Sequence, residues 1–345
     1  MTHTIELDGH SLVTPESIAI EVTTSGDIDI NPEVSYLASE ILPRLDDAAE
    51  GFKKGGSTAE IGGAVTILLH EVRNSVDVDV WRALIPIIQA HPVAKFFLED
   101  PITKWSFERP RGYSGDAHLL DLIYRHPKTV GQVAAASPLG REVYEFTSHA
   151  PSSFANCDRR DILARFVDET AARVGRDAEV LSFAAGHLRE AEVSTAHADG
   201  TLGRWVAVDQ DPLSIAEIEA SYAGTTVQPV KGSVRDLFAT KLDLGTFDLV
   251  YASGLYDYLA DKVAVKLTQR LAQLVKPGGT FLFANYSHPI VVDGYLETFM
   301  DWTLLLRSDE DIRRIALEAV GEEDWIVGTF YGENRNIVYA TLTRR

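Results

Sequence analysis

The sequence predicts an α/β fold with a doubly wound, seven-stranded, mostly parallel sheet behind an N-terminal helical domain. Two observations support this prediction. Apolar residues recur at helical spacing from residue 32 to about residue 175, and short apolar runs then alternate with helical stretches as far as residue 343. The last two runs have no helix-length connection between them, so we expect an antiparallel hairpin at one edge of the sheet.

The change of pattern divides the chain into three predicted segments. We expect an N-terminal arm over residues 1–31, a helical domain over residues 32–175 and a sheet domain over residues 176–345. The helical domain would cover a substrate pocket and is a candidate contact for a homodimer. A chain of 345 residues is long enough to bury cores in two such domains.

Local patterns define the individual elements. Two helices of the first half are expected at residues 116–125 and 159–174, and a helix of the second half ends before Pro277-Gly278-Gly279. The seven strands are predicted at residues 179–183, 205–209, 226–230, 247–251, 280–286, 325–331 and 337–343. Ligands of open α/β sheets bind beyond the carboxyl ends of the strands, so the segments after the strands are the places to search for a site.

The composition narrows the range of partners. The formal net charge of −19 disfavours nucleic-acid backbones and anionic membrane surfaces, which attract clustered Lys and Arg. Cys157 is the only cysteine, which excludes an intrachain disulfide and suits a reducing cytoplasm. The first residues lack the basic and apolar regions of a signal peptide, and no apolar run approaches the length of a membrane span. We therefore expect a cytoplasmic protein that acts on a small molecule.

Residues 180–191 have the pattern of a nucleoside-binding loop. An apolar strand ends at Phe183, a turn of small residues follows from Ala184 to Gly186, and Asp209 ends the next strand about 20 residues later. Backbone N–H groups of the turn would receive the ligand, and the Asp209 carboxylate would accept ribose hydroxyls. The turn has one glycine where a pyrophosphate loop needs two or three, which disfavours NAD and FAD and favours S-adenosylmethionine. The alternative is an ordinary strand-to-helix turn.

Two further candidate segments follow the third and fourth strands. Ser233 is placed to hydrogen-bond an adenine edge while Val234 packs on its face, and a plain loop with a helix cap is the alternative. Tyr256, Asp257 and Tyr258 come where the reactive end of the cofactor would lie, and they are candidates for proton handling or substrate contact. Their alternative is a capping aspartate beside two packing tyrosines.

Three other segments contain candidates. His288 follows the fifth strand and is either a general base or a loop histidine that hydrogen-bonds its surroundings. The aromatic segment at residues 294–302 either walls a substrate pocket or belongs to the core. Arg111 and Tyr113 lie in a glycine-bounded turn that either closes over the cofactor and an anionic acceptor or forms surface contacts. Asp209-Gln210-Asp211 has no His or Glu partner at metal-ligand spacing, so we expect no metal.

Several strings together resemble the class I S-adenosylmethionine-dependent methyltransferases, and more narrowly the bacterial group linked to extracellular-factor (3-hydroxypalmitate methyl ester) biosynthesis. The resemblance extends from about residue 105 to the C-terminus. The matching strings are RPRGYSGDA from residue 109, AAGHLREA from residue 184, VDQD from residue 208, YASGLYDYL from residue 251 and GYLETFMDW from residue 294.

This resemblance implies a Rossmann-like, seven-stranded methyltransferase sheet with cofactor contacts at Gly186, Asp209 and Ser233, and it adds Tyr113 and His187 to the cofactor wall. The first loop departs from the wider class in a way that the bacterial group shares. Ser182 replaces the usual acidic residue, and Ala184 and Leu188 replace the outer glycines. These departures suggest that the helical half helps to hold the methionine end of the cofactor.

We therefore predict an S-adenosylmethionine-dependent methyltransferase with a small-molecule acceptor, and we favour O-methylation of a carboxylate or hydroxyl in a secondary or signalling metabolite. The alternatives are N- or C-methylation and a non-catalytic, cofactor-sensing scaffold. A carboxylate acceptor needs no base, whereas a hydroxyl or amine would use one of the three catalytic candidates. The predicted catalytic residues are Asp257, Tyr256 and His288; the cofactor contacts are Tyr113, Phe183, Ala184, Gly186, His187, Asp209, Gln210, Ser233, Val234 and Ser253; the substrate contacts are Arg111, Tyr258, Tyr295 and Trp302.

Overall fold

The computed structural model describes residues 32–345, and the predicted arm at residues 1–31 lies outside the described residues. Helices alone make up the regular structure of the described chain as far as residue 174, as the apolar spacing predicts. Their bounds are α1 (Pro32–Lys53), α2 (Thr58–Ser75), α3 (Val78–Gln89), α4 (Ala94–Phe97), α5 (Pro101–Glu108), α6 (Ala117–Ile123), α7 (Val130–Ala135), α8 (Pro138–Ser148) and α9 (Pro151–Val174).

The second half contains one seven-stranded sheet. Its strands are β1 (Glu179–Phe183), β2 (Arg204–Asp209), β3 (Val227–Lys231), β4 (Phe247–Ala252), β5 (Val275–Tyr286), β6 (Trp325–Tyr331) and β7 (Ile337–Arg344). They lie in the order β3-β2-β1-β4-β5-β7-β6. The first five strands are parallel to one another, and β7 is antiparallel to both β5 and β6. The predicted doubly wound sheet is confirmed, and so is the terminal hairpin, which places β6 at the edge.

Helices connect the parallel strands and create a crevice in the middle of the sheet. The chain moves outward from β1 to β2 and β3, and then returns to place β4 on the other side of β1. This reversal leaves a crevice outside the carboxyl ends of β1 and β4, where such folds bind their ligands. The helices of this half are α10 (Thr195–Ala198), α11 (Pro212–Ser221), α12 (Val234–Phe238), α13 (Asp261–Ala272), α14 (Asp293–Phe299) and α15 (Asp309–Val320).

Two element boundaries differ from the predicted ones by more than two residues. Helix α9 begins at Pro151 rather than near residue 159, because its first turns bury polar side chains such as Ser152 and Asn156 and so hide the apolar periodicity. Strand β5 begins at Val275 rather than near residue 280. The Pro-Gly-Gly segment lies within this strand at an irregularity in its register with β4, where Gly278 adopts a φ of +73°.

Two apolar clusters form the core, one on each face of the sheet. In β1, Val180 contributes to one cluster and Leu181 to the other, as alternate residues of a strand must. The cluster that contains Val180 continues into the helical half through residues such as Leu163 and Trp81. The helical half therefore packs directly on one face of the sheet. Within residues 32–345, no helix is both long and apolar enough to cross a membrane.

Helix α14 follows β5 in sequence but packs among the first helices. Arg73 of α2 binds Glu297 at 2.7 Å and Asp293 at 3.2 Å, and His70 of α2 contacts Asp293 at 2.7 Å. Both carboxylates are almost fully buried, so each needs such partners to offset the cost of its desolvation. These ion pairs tie the aromatic insertion to the helical half, and Trp302, which follows α14, reaches the crevice.

Candidate active site

A cleft of about 980 Å³, including its open mouth, lies at the carboxyl ends of the central strands and beneath segments of the helical half. The predicted site residues that line it are Tyr113, Phe183, Ala184, Gly186, Asp209, Gln210, Ser233, Val234, Asp257, Tyr258 and Trp302. The other lining residues are Gly115, Ala117, Leu120, Arg159, Gly232, Gly254, Leu255 and Tyr286.

The loop after β1 brings its backbone to the cleft in a left-handed conformation. Ala184 has a φ of +58° and Gly186 a φ of +56°. The N–H of Ala185 donates to the carbonyl of Val208 at 3.0 Å, and that of Gly186 donates to Asp209 Oδ2 at 2.8 Å. Both N–H groups are therefore bonded within the protein. This corrects the expectation that they receive the ligand: what the loop offers is the close approach of its backbone.

Asp209 lies at the end of β2 with its carboxylate almost fully buried. Its Oδ2 accepts the Gly186 N–H, and its Oδ1 accepts the N–H of Asp211 at 2.8 Å. Burial raises the pKa of Asp209 to about 6, although the two N–H groups act in the opposite direction. Each oxygen accepts one backbone bond and retains a lone pair, so the carboxylate can still accept a pair of hydroxyls.

Ser233 is the N-cap of α12, which is the structural alternative weighed for this position. Its hydroxyl donates to Asp236 Oδ2 at 2.6 Å and accepts the N–H of Asp236 at 3.2 Å. The hydroxyl hydrogen is therefore engaged, and Ser233 can offer a ligand only an acceptor. Val234 beside it lines the cleft at the first position of a helix, where backbone N–H groups have no partner within the helix.

Asp257 and Tyr258 form the cleft wall beyond β4. Asp257 Oδ1 accepts the N–H of Tyr286 at 2.6 Å, and burial raises the pKa of this carboxyl to about 6 even though Arg159 lowers it. The indole N–H of Trp302 donates to the Tyr258 hydroxyl oxygen at 2.8 Å. Asp257 is therefore a buried carboxylate at neutral pH, and it lies beside a neutral phenol and an aromatic wall.

The helical half closes the cleft through the turn before α6. Tyr113 lines the cleft, and burial together with the nearby Asp209 and Asp211 raises the pKa of its hydroxyl far above the ordinary value. At Gly115, where φ is +73°, a Cβ atom would lie 2.4 Å from the Tyr258 hydroxyl oxygen. Only glycine permits this contact between the two halves.

Arg111 and His187 fasten the two halves together and do not line the cleft. Arg111 Nη1 binds Asp211 Oδ2 at 3.0 Å and contacts His187 Nε2 at 3.2 Å. His187 Nδ1 bonds to Asp121 of α6 at 2.8 Å, and Arg189 pairs with the same carboxylate at 2.7 Å. This buried network supports the loop after β1 from behind.

Four other predicted residues also lie outside the cleft lining. Tyr256 is fully buried, bonds to Thr268 at 2.8 Å and stacks on Phe283. Tyr295 packs in the core of the helical half, with its hydroxyl 2.8 Å from Thr103 Oγ1. His288 is exposed in the loop after β5, and Ser253 meets the site only through its carbonyl, which accepts from Arg159.

Arg159 of α9 is a charged residue of this site for which the sequence analysis predicted no role. It lines the cleft although only 5% of it is exposed. The available signal was its position on the helix: Asn156, Arg159 and Leu163 are spaced to share one face, and two of the three are polar where a buried face is expected.

Comparisons with known proteins agree with this fold. Residues 163–279 match the sequence model of a methyltransferase domain. No curated protein matches the chain. Among solved structures, a possible exported protein from Bordetella parapertussis is similar over 91% of this chain and 99% of its own, with 18% identity and a TM-score of 0.52.

Two other similar structures have lower TM-scores. An O-methyltransferase family protein from Burkholderia thailandensis has 16% identity and a TM-score of 0.44, covering 65% of this chain and 72% of its own. The N-methyltransferase NodS from Bradyrhizobium japonicum has 15% identity and a TM-score of 0.39, covering 55% of this chain and 97% of its own. The match therefore assigns a methyltransferase domain to residues 163–279, and the strands from β1 to the start of β5 lie within it.

Proposed function

We propose that the protein is an S-adenosylmethionine-dependent methyltransferase that binds its cofactor in the cleft and methylates an oxygen of a small-molecule acceptor there. The observation that carries the proposal is Asp209, a buried carboxylate at the end of β2 whose two oxygens are each held by one backbone N–H. A carboxylate fixed in this way is suited to a ribose diol, and the match to a methyltransferase domain supports S-adenosylmethionine as the nucleoside.

The charges of the cleft fit this cofactor better than a dinucleotide. Among the described residues, the acids Asp209 and Asp257 line it together with the single cation Arg159. S-adenosylmethionine has a sulfonium, an ammonium and one carboxylate, so it offers two positive groups and one negative group to this lining. A pyrophosphate would place two negative charges against the carboxylates, and the loop after β1 has its Ala185 and Gly186 N–H groups already bonded.

The contacts suggest how the cofactor would be divided along the cleft. Asp209 would hold the ribose, and Val234 would pack against the adenine with Ser233 accepting from its edge. The methyl group would face Asp257, Tyr258 and Trp302. When bound, S-adenosylmethionine supplies an already activated methyl group, so the residues of the chain mainly align the acceptor and exclude water.

A hydroxyl acceptor could transfer its proton to Asp257, which is ionised at neutral pH. A carboxylate acceptor needs no base, and its charge would be offset by Arg159 rather than placed against Asp257. The cover formed by the helical half restricts the size of the acceptor. We further propose a cytoplasmic reaction of secondary or signalling metabolism, in line with the resemblance to the extracellular-factor group, and we keep a homodimer as an open expectation.

Calorimetry followed by a turnover assay tests the proposal. The protein is expected to bind S-adenosylhomocysteine and not NADH, and to release S-adenosylhomocysteine from S-adenosylmethionine with a carboxylate or hydroxyl compound from an acceptor panel that also contains amines. Binding of NADH alone would contradict the cofactor assignment. Binding without turnover on any acceptor pool would favour a cofactor-sensing scaffold, and turnover with amines alone would favour N-methylation.

A further inference from the structure

The guanidinium of Arg159 is held rigidly at the cleft by neutral partners. Its Nη1 donates to the carbonyl of Ser253 at 2.8 Å, and its Nη2 donates to Asn156 Oδ1 at 2.8 Å. The amide of Asn156 donates in turn to the hydroxyl of Tyr286 at 2.7 Å, and Tyr286 lines the same cleft. These contacts fix the orientation of Arg159 without supplying a direct counter-ion.

Other buried arginines of the described chain have a carboxylate partner. Arg189 pairs with Asp121 at 2.7 Å, and Arg307 pairs with Asp261 at 2.9 Å. Within residues 32–345, no carboxylate oxygen lies within 4.0 Å of the Arg159 guanidinium nitrogens. Asp257 lines the same cleft and its charge acts on Arg159, but the two side chains form no ion pair. A guanidinium removed from water without a contacting counter-ion is costly, so a buried arginine that borders an open cleft is in place for an anion from outside the chain.

We propose that Arg159 binds a carboxylate inside the cleft. The inference rests on the proposed function, because both sources of that carboxylate are ligands of the transfer reaction: the methionine end of S-adenosylmethionine, or a carboxylic acid acceptor. Arginine presents five N–H donors, and the two internal bonds use one on each terminal nitrogen. A second N–H on each terminal nitrogen is therefore available for a ligand, and paired N–H donors match the two oxygens of a carboxylate.

A glycine lies beside the guanidinium in the cleft wall. Gly254 lines the cleft, and a Cβ atom at this position would lie 4.0 Å from Arg159 Nη2, which is ordinary contact distance. The glycine therefore places no side-chain atom against this nitrogen, and Arg159 itself borders the cleft.

Calorimetry with paired ligands tests the proposal and separates the two sources. S-adenosylhomocysteine contains the methionine-end carboxylate, whereas 5′-methylthioadenosine shares the adenosyl thioether and lacks it. If Arg159 binds the methionine end, Arg159→Gln lowers the affinity for S-adenosylhomocysteine by at least about tenfold and changes the affinity for 5′-methylthioadenosine by less than about twofold. If Arg159 binds the acceptor, both affinities persist, and hexanoate binds the S-adenosylhomocysteine complex of the parent protein but not that of Arg159→Gln.

Two further variants complete the test. Arg160→Gln makes the same change at the next residue, which pairs with Asp161 outside the cleft lining, and it is expected to leave all three affinities unchanged. Arg159→Lys keeps the charge, and it is used in place of Arg159→Gln if that variant does not fold. It should lower the affinity for the ligand whose carboxylate Arg159 binds, S-adenosylhomocysteine or hexanoate, more than the affinity for 5′-methylthioadenosine. Equal loss of both adenosyl ligands in the Arg159 variants would show a structural role only and overturn the proposal, and so would no change in any titration.

The proposed function fails separately from this inference. A parent protein that binds neither adenosyl ligand contradicts the cofactor assignment. Hexanoate is then titrated into the ligand-free parent protein and into the ligand-free Arg159→Gln variant. Binding to the parent protein alone would still support the carboxylate assignment, whereas equal binding to both proteins, or binding to neither, would overturn it.

Discussion

The carboxylate of Asp209 accepts the backbone N–H of Gly186 at 2.8 Å, so the acidic end of β2 also anchors the loop that follows β1. The other carboxylate oxygen accepts the N–H of Asp211. A residue predicted only as a ribose contact thus also determines the backbone shape of the cleft. Its two roles can be separated by experiment.

Asp209→Asn is expected to weaken S-adenosylhomocysteine binding by at least about tenfold and to lower the melting temperature. Asparagine has one acceptor oxygen where two backbone N–H groups need one each, so one N–H would face an NH₂ group. Calorimetry and thermal unfolding measure the two effects. Asp211→Asn is the matched control, because Asp211 pairs with Arg111 and does not line the cleft. Equal affinity in Asp209→Asn and the parent protein would exclude the ribose role.

Gly115→Ala is expected to destabilise the protein and to weaken S-adenosylhomocysteine binding, whereas Gly112→Ala should show only the loss of stability. Both glycines have positive φ, +73° and +87°, so alanine strains both backbones by about 1 kcal/mol. Only at Gly115 would the new Cβ collide with Tyr258 and Trp302; at Gly112 nothing lies within 4 Å. Urea unfolding measures the stability of the two variants, and calorimetry measures their affinity for S-adenosylhomocysteine. Equal affinities in Gly115→Ala and Gly112→Ala would show that the wall of Tyr258 and Trp302 does not contact the ligand.

Asp257 is expected to make the protein less stable as the pH rises from about 5 to about 7.5. Burial raises the pKa of Asp257 in the folded state to about 6 from 3.8, so the folded state binds more protons than the unfolded state in this range. The free energy of unfolding therefore falls as the pH rises, by about 1 kcal/mol for this group. Asp257→Asn retains an oxygen for the Tyr286 N–H and removes the titration.

Urea unfolding at the two ends of this pH range measures the effect as the difference between the Asp257→Asn variant and the parent protein. The variant should gain stability relative to the parent as the pH rises. Asp261→Asn is the control: although burial acts to raise the pKa of Asp261, Arg314 and Arg307 hold it below its usual range. Asp261 is therefore ionised throughout this pH range, and its removal should cost the same stability at both ends. A constant difference for Asp257→Asn would contradict the prediction.

Asp121→Asn is expected to destabilise the protein by about 1.5–3 kcal/mol, because it removes one charged partner from the buried Arg189, which keeps Glu192 and Glu217. Glu50→Gln is the control, because it breaks the ion pair of Glu50 with Lys53, which has the same length of 2.7 Å. Both of these side chains are about half exposed. Water replaces the lost contact there, so the urea midpoint should not move. Similar midpoints for the two variants would show that the Asp121 network contributes little to stability.

The elements that could be predicted from the sequence depend on short-range patterns. The strand, loop and acidic residue from Val180 to Asp209 lie within one strand–helix–strand unit, and the alternation of apolar residues defined each part. The structure confirms the seven strands, and the cleft contains Asp209, Gly186, Ser233 and Asp257 as expected. Ligand position in such a sheet follows from topology, so the location of the site was predictable as well.

The direction of side chains within one segment was not predictable. Tyr256 and Asp257 are consecutive, yet Tyr256 packs in the core against Phe283 while Asp257 lines the cleft. The sequence analysis predicted both as catalytic residues. Their different environments arise only when the short helix at residues 256–258 packs against β5. Arg111 likewise has the chemistry of an anion-binding residue, but Asp211 and His187 occupy it.

The sequence by itself determined the fold class, the strands and the edge of the sheet where the cleft lies, because these depend on local periodicity and on the order of elements. Only the tertiary structure decided which side chains face the cleft. Arg159 and Ser253 are 94 residues apart and meet at 2.8 Å because α9 packs across the end of β4. No local pattern relates these two positions, since the contact arises when the helical half folds onto the sheet.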